Sequence, residues 1–543
     1  MFRTRPAILA VCLATAPLLA SSIDATAATL WSKRFGTSGA GSRGFAVAAD
    51  AAGNLVMAGS FNGLVNFGGG DQLAQGTDVV LACYNASGTH QWSQRFGGAA
   101  ADQAYAVAFD ASGNVLITGY FQQSAYFGGN NLGSAGGSDL FVARYDADGN
   151  HLWSRSFGTL GADAGCSVAA DAAGNVFVTG YISGADIVVI KYTAAGTMAW
   201  IKMLGGTGYD EGLAITTDAL GQVLVTGSFS GTVNFGGGDL STSSVDEWDV
   251  FLAKYTTNGT HIWSKRFGGI DLEEGTCVRA DASGNVYVAG YFAGTVSFGG
   301  SSLTSTGADV DLFLAKYDVS GNHLWSRRMG GASYEYPGAL ALDGDANVYL
   351  TGYFAGTANI GGTNLPSAGG ADVFCAQYDP NGIPISAQRY GGAGADAGQG
   401  IALDASGNRF VTGYFNGSVD FGAGTLTASG TPDMFLAKYG QTASGVDDAP
   451  AFDPITVTAA PNPFNPTTMI HYRTSTAGRV LVTIHDVRGQ LVATLVDENE
   501  PAGEHAVTWR GRDDAGNGSA SGVYFARVAQ TGAARTLKLV LLK

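Results

Sequence analysis

The chain repeats itself, and the period of the repeat limits what it can fold into. One copy runs from Tyr105 to Phe157. An alternating segment ends at Asp110, and Ala111-Ser112-Gly113-Asn114 forms a turn. Val115 to Phe121 follows, then a glycine-rich loop, then Asp139 to Tyr145. A second turn at Asp146-Ala147-Asp148-Gly149-Asn150 leads into Leu152 to Phe157. The tryptophans mark the spacing: Trp31, Trp92, Trp153, Trp200, Trp263 and Trp325, with Ser386 in the seventh equivalent place. Most intervals are about sixty residues, in the range of propellers and solenoids.

Each copy reads as four short strands joined by turns rich in Gly, Asn and Asp, the residues that accept positive φ. The Asp-x-x-Gly-Asn turn recurs at Asp50, Asp110, Asp171, Asp281 and Asp404, and degenerates at Asp218 and Asp343. Four antiparallel strands in seven copies predict an all-β fold, a seven-bladed β-propeller over residues 29–440. Segments such as Phe45 to Ala49 are small enough for the innermost strand, and the tryptophan strand suits the outer edge. The last copy stops at Tyr439 with no tryptophan strand after it, whereas Leu30 to Phe35 is one. The N-terminal strand is therefore expected to complete the seventh blade and close the ring. Between Tyr181 and Asp186 the third copy lacks the loop found in the others, which predicts a notch there.

Residues 1–27 read as a secretory signal peptide. Arg3 and Arg5 precede an apolar Ala7 to Ala20 too short to span a bilayer, and Ala25-Thr26-Ala27 fits a cleavage site. No later stretch is long and apolar enough to be a transmembrane segment. The formal net charge of −16 argues against a nucleic-acid partner. The cysteines beyond the signal, Cys83, Cys166, Cys277 and Cys375, have no metal-binding spacing and read as small hydrophobes. His90, His151, His261 and His323 each precede a tryptophan strand and are spread over different copies, so they cannot share one metal.

One aligned set of acids stands out. The loop between the tryptophan strand and the next inner strand carries Asp102, Asp163, Asp210, Glu273, Glu335 or Asp396, with Gly41 read at the first place. These loops feed the innermost strands, so the acids are expected to ring an axial mouth as a binding site. Pairing with Arg95, Arg266, Arg328 or Arg389 is the favoured reading of their charge. Calcium (Ca2+), an oxygen-seeking cation, is the alternative cofactor.

Two resemblances accompany this reading. The repeat motifs resemble the bacterial SBBP beta-propeller repeat family, which implies the fold but no single activity. Residues 441–454 form a polar linker, and strand candidates beyond it predict a small Ig-like β-sandwich over 455–543. Those candidates are Met469–Arg473, Val480–His485, Leu491–Leu495, Ala506–Trp509, Val523–Val528 and Leu537–Leu542. There Pro461-Asn462-Pro463-Phe464-Asn465-Pro466, Ile484 to Gly489, Trp509-Arg510-Gly511, Gly522 with Tyr524, and Lys538 to Lys543 resemble the C-terminal sorting domain of type IX secretion substrates. They are also similar to the Ig-like domain of the flagellar hook-assembly protein. The resemblance implies export across an outer membrane and, as partner, the secretion machinery.

The expected product is a secreted or cell-surface, non-catalytic binding protein whose partner is a glycan or an envelope protein. The alternatives are a secreted polysaccharide hydrolase or lyase and a structural component of the envelope. An enzyme would show a constellation of acid, His or Tyr residues that does not follow the repeat.

Overall fold

The structure is a computed structural model. It describes residues 29–183, 186–206, 208–243, 247–307, 309–440, 455–474, 478–487, 490–501, 503–530 and 533–543. The expected signal peptide, the linker, Gly184 with Ala185 of the third repeat, and Arg488 with Gly489 of the C-terminal motif lie outside them. The chain divides into two compact units, one ending at Thr442 and the other beginning at Ala443. The described residues are all-β, with no helix.

In the first unit each repeat is an antiparallel meander of four principal strands. Repeat two shows the plan: Gln103–Phe109, Val115–Tyr126, Leu132–Tyr145 and His151–Phe157, hydrogen-bonded in that order. The first strands of the other repeats are Ser42–Ala49, Ala164–Ala170, Glu211–Thr217, Glu273–Ala280, Glu335–Leu342 and Ala397–Leu403. No sheet closes on itself. In the last meander the fourth strand comes from the other end of the chain: Thr29–Phe35 pairs antiparallel with Asp433–Tyr439, Ser32 opposite Ala437. In repeat three Val176–Ile182 runs to Asp186–Tyr192 without the extra hairpin that Thr232–Asn234 and Asp239–Ser241 form in repeat four.

The Asp-x-x-Gly-Asn turn has a local cause. Asp110 Oδ1 accepts from Ser112 N at 2.8 Å and from Asn114 N at 3.0 Å. Gly113, at φ +80°, takes the left-handed step between them. The degenerate turn at Asp343 keeps the aspartate contacts, with Asn347 N at 2.8 Å, and places Ala346 at φ +62°.

The tryptophans join neighbouring repeats. Trp92 Nε1 donates to Ala147 O at 2.9 Å, Trp153 to Ala194 O at 3.0 Å, Trp200 to Thr257 O at 3.1 Å and Trp325 to Pro380 O at 3.1 Å. Each acceptor lies in the turn before the fourth strand of the next repeat. The glycine of that turn lies against the indole, so a Cβ at Gly382 would come within 2.9 Å of the Trp325 ring. Ser386 holds the tryptophan's place in Pro384–Tyr390.

The hydrophobic cores sit between successive repeats. Val56, Leu81, Ile117 and Phe141 share one cluster across repeats one and two. Another joins the first and last repeats through Phe35, Val47, Leu55, Phe410 and Met434. Burial of these side chains is the main source of cohesion between meanders.

The second unit has a three-stranded sheet, Ile455–Ala460, Thr468–Thr474 and Gly503–Trp509, and a four-stranded one. The latter runs Leu491–Glu500, Gly478–Asp486, Gly522–Gln530, Ala533–Leu541. Phe464, Ile470, Val482, Trp509, Ala526 and Leu539 fill its core. Every sequence-predicted strand is present, most of them longer, the last ending at Leu541 rather than Leu542, and Ile455–Ala460 is additional.

Ala346 carries a left-handed conformation that costs an L-residue about 1–2 kcal/mol, against roughly 0.5–1 kcal/mol of extra chain entropy for glycine. Ala346→Gly is therefore expected to stabilise the first unit by about 0.5–1 kcal/mol, read as a higher urea midpoint at unchanged slope.

Candidate functional site

The repeated loop acids face inward to the backbone. Asp102 is fully buried; its Oδ2 accepts from Gly98 N at 2.7 Å and its Oδ1 from Gln122 N at 3.1 Å. Asp210 likewise holds Gly206 N at 2.8 Å and Ser230 N at 3.0 Å, and Asp396 holds Gly392 N at 2.8 Å and Asn416 N at 2.9 Å. Asp163 accepts from Thr159 N and Ser183 N. In each case one carboxylate ties the loop after the tryptophan strand to the end of the second strand. At the first place the register puts Ser42, not Gly41, opposite this role; Ser42 Oγ donates to Phe35 O at 2.6 Å and accepts from Met434 N at 3.0 Å.

The arginines go to a different carboxylate from the one expected. Arg34 pairs with Asp433 at 2.6 Å and Arg389 with Asp372 at 2.8 Å. Arg95, Arg266 and Arg328 pair with Asp78, Asp249 and Asp311. Strand register explains this: Arg95 lies across from Val80, so it shares a face with Asp78, two residues away, while Asp102 begins the next meander.

In repeats five and six the loop acid is a glutamate. Its longer side chain keeps one amide, Gly269 N at 3.0 Å from Glu273 and Gly331 N at 3.1 Å from Glu335. The other oxygen reaches the neighbouring aspartate, Asp249 or Asp311. Burial, then the adjacent aspartate charge, pushes both glutamates up to about 8, so each is protonated at neutral pH and donates to its aspartate. Burial raises Asp102 and Asp210 to about 6.

A cavity of about 770 Å³ is lined by the first strand of every repeat. None of the six loop acids lines it. Each first strand bulges at its third or fourth position, leaving one residue unpaired: Phe45, Tyr105, Cys166, Leu213, Thr276, Gly338 and Gln399. All seven line the cavity. Bulges re-aim side chains at binding sites, and here they leave the repeat free to vary where it meets the cavity. The flanking positions are mostly Ala, Val and Gly.

Around the bulges of repeats one to six lies a cluster in which recurring second-strand tyrosines meet first-strand residues that do not follow the repeat, Phe45, Tyr105, Tyr336, Glu211 and Glu274. Phe45 meets Tyr105 edge-on at 5.6 Å, and Tyr105 meets Tyr120 at 5.7 Å. Tyr336 meets Tyr291 at 4.8 Å and Tyr353 at 5.3 Å. Glu211 and Glu274, the residues just after two of the loop acids, stand among these rings. Burial, then the charge of Glu211, pushes Glu274 up to about 7 against a hydrogen bond with Tyr291. Burial raises Glu211 as well. Cys166, Glu211 and Tyr120 in turn push Tyr181 upward, after burial, to about 12.

Sequence reasoning missed these residues because it followed what recurs. The available signal was the exception: Glu, Tyr and Phe at first-strand positions that vary from copy to copy while their neighbours recur. The histidines remain separate, each on its own repeat, as His90 with Ser93 at 3.0 Å. Among the described residues no three His, Cys, Asp or Glu side chains converge on a metal position.

In the second unit the motif residues meet at one sheet edge. Asn462 Nδ2 donates to Lys538 O at 2.7 Å and its Oδ1 accepts from Val540 N at 2.9 Å. Phe464 exchanges backbone bonds with Val540 and Leu542, each at 2.9 Å, and its ring lies 5.4 Å from Trp509. Trp509 meets Tyr524 at 5.0 Å. Lys543 N donates to Ser521, next to Gly522, at 3.0 Å. Pro461, Pro463, Asn465 and Pro466 are exposed around this junction.

Two family models match the chain. A beta-propeller repeat, SBBP, matches residues 91–120, and the FlgD Ig-like domain matches 464–534. The chain therefore carries beta-propeller repeat sequence and a FlgD Ig-like domain. An uncharacterised WD repeat-containing protein of Acanthamoeba polyphaga mimivirus is 25% identical over 73% of this chain and 32% of its own length, so the chain spans about a third of that relative. The beta-propeller domain of the Trilobed protease from Pyrococcus furiosus is 8% identical, covering 73% of this chain and 93% of that one with a TM-score of 0.36. PorZ, a surface component of the type-IX secretion system of Porphyromonas gingivalis, is 14% identical over 90% of this chain and 74% of that one, with a TM-score of 0.23. No helix among the described residues is long and apolar enough to cross a membrane.

The protonated glutamates set a pH dependence. Glu273 binds its proton up to about pH 8 when folded, against an ordinary value of 4.5. Its contribution is thus fully present below about pH 4.5 and is lost as pH rises through 8. Global stability is expected to fall between pH 5 and 8.5. Glu273→Gln, which keeps the neutral donor, should recover on the order of 2–3 kcal/mol of that loss. Urea unfolding at several pH values reads it; parallel profiles for parent and variant would show that Asp249 and Glu273 do not share a proton.

Proposed function

We propose that the first unit is a seven-bladed propeller, its ring closed by Thr29–Phe35, and that it binds a saccharide at the cavity mouth. The ring reading is supported by the pairing of Thr29–Phe35 with the last repeat and by the core shared between first and last repeats. The binding reading rests on one observation: Tyr105 and Glu274 line the 770 Å³ cavity and break the repeat there, with Tyr336 and Glu211 in the same aromatic and acidic cluster. Tyrosine faces cover the C–H faces of a sugar, and carboxyl groups bond its hydroxyls.

A second reading, a polysaccharide hydrolase, has support in the same two glutamates. A carboxylic acid raised to about 7 beside a second carboxylate is what a general acid with a base requires. The loop acids serve loop closure in both readings.

The full chain on a panel of immobilised polysaccharides is expected to retain a subset, with Tyr336→Ala and Glu274→Gln each weakening retention about tenfold or more. Retention unaffected by both substitutions would overturn the mouth as the site. Release of shortened chains, abolished by Glu274→Gln, would favour the hydrolase.

The second unit acts in sorting, and the chain is secreted or displayed at the cell surface after removal of residues 1–27. Support comes from the meeting of Asn462 and Phe464 with Lys538, Val540 and Leu542, which assembles the distant motifs into one edge, and from the FlgD Ig-like match. Truncation after Pro454 is expected to leave the first unit folded but retained in the periplasm of the native host; normal surface display of the truncated chain would refute the sorting role.

A further inference from the structure

Arg279 occupies the seventh position of its first strand, and the equivalent residues are Ala48, Ala108, Ala169, Thr216, Ala341 and Ala402. All of them line the same cavity, where Glu274 is the one other charged liner. Five residues of strand separate Arg279 from Glu274, roughly 15 Å along the wall. The guanidinium is therefore set well away from the tyrosines and glutamates.

One Nη of Arg279 donates to Val278 O at 2.8 Å. No carboxylate among the described residues lies within ion-pair distance of it, whereas Lys254, on a third strand, is matched with Asp218 at 2.9 Å. Burial lowers the affinity of Arg279 for its proton. Arg279 is half-buried, keeps its charge at ordinary pH and lacks a carboxylate partner, so its free guanidinium donors face the cavity as a place for an anion. The small side chains at the same level in the other repeats leave room beside it. Thr216, at the same position in the neighbouring strand, adds a hydroxyl donor.

We infer that Arg279 and Thr216 form an oxyanion site in the cavity, taking the carboxylate or phosphate group of a small ligand. The planar guanidinium offers paired donors to either group, and the hydroxyl completes a three-point cradle. This site is independent of saccharide binding at the mouth, since neither residue belongs to that cluster.

The test uses the full chain, titrated in separate arms with inorganic phosphate and with acetate at constant ionic strength, and followed by calorimetry and by melting temperature. Saturable binding in at least one arm, with a matching rise in melting temperature, is expected; the stronger arm identifies the group. Arg279→Ala restores the residue found in most other repeats and should fold with an undiminished melting temperature in the absence of anion. Its anion affinity should be at least about tenfold weaker, with Thr216→Val intermediate. Absence of saturable binding in both arms, or equal binding by parent and Arg279→Ala, would overturn the site.

Discussion

Everything in the first unit depends on how one repeat grips the next. An indole lies on the glycine of the following hairpin turn and donates to a carbonyl of that turn, as Trp325 does with Gly382 and Pro380. The contact fixes both spacing and tilt, because a glycine without Cβ is what lets the ring approach. The apolar clusters between repeats then fill the space the contact defines. Repeating one such step sets each meander against the next, with no need for sheets that close on themselves.

The polar groups divide into two classes with different work. Recurring carboxylates are consumed by the scaffold. Asp78, Asp249, Asp311, Asp372 and Asp433 take arginines, and Asp102, Asp163, Asp210 and Asp396 take loop amides, so these carboxylates serve the scaffold. Where glutamate replaces aspartate, the extra methylene brings two carboxyl groups together and a proton is retained between them. The groups free to act on a ligand are those a bulge projects or only one or two repeats carry, among them Tyr105, Glu211, Glu274 and Arg279.

The strands, the hairpin turns and the pairing of Thr29–Phe35 with the last repeat were legible in the sequence because each has a local or periodic cause. Even Ala346 was marked in advance by the missing glycine of its turn. The direction of the loop acids was not legible. Recurrence showed that Asp102 and its equivalents matter, but a position kept in nearly every copy serves what every copy must do, which is to fasten a loop. Arg95 was misassigned because sequence proximity to Asp102 hides the cross-strand register that brings it to Asp78. The one-residue bulge, invisible in a pattern of Ala and Gly, decides that Tyr105 and Cys166 reach the cavity. In the second unit Ile455–Ala460 escaped notice beside the polar linker, and the junction of Asn462 with Lys538 and Val540 is a tertiary fact with no periodic trace.

A shared cavity with a mouth of unlike residues requires that the two ends of the repeat array be joined. Ser32 and Ala437 stand directly opposite in the joining strands, at a separation that a disulfide can bridge. With the four cysteines beyond the signal peptide replaced by alanine, Ser32→Cys with Ala437→Cys tests the join directly. Mild oxidation of the folded chain should give a near-complete intramolecular crosslink, seen as a faster-migrating monomer that reverts on reduction. Free thiols that persist in the folded protein, or crosslinks between separate molecules alone, would contradict a ring closed by the N-terminal strand.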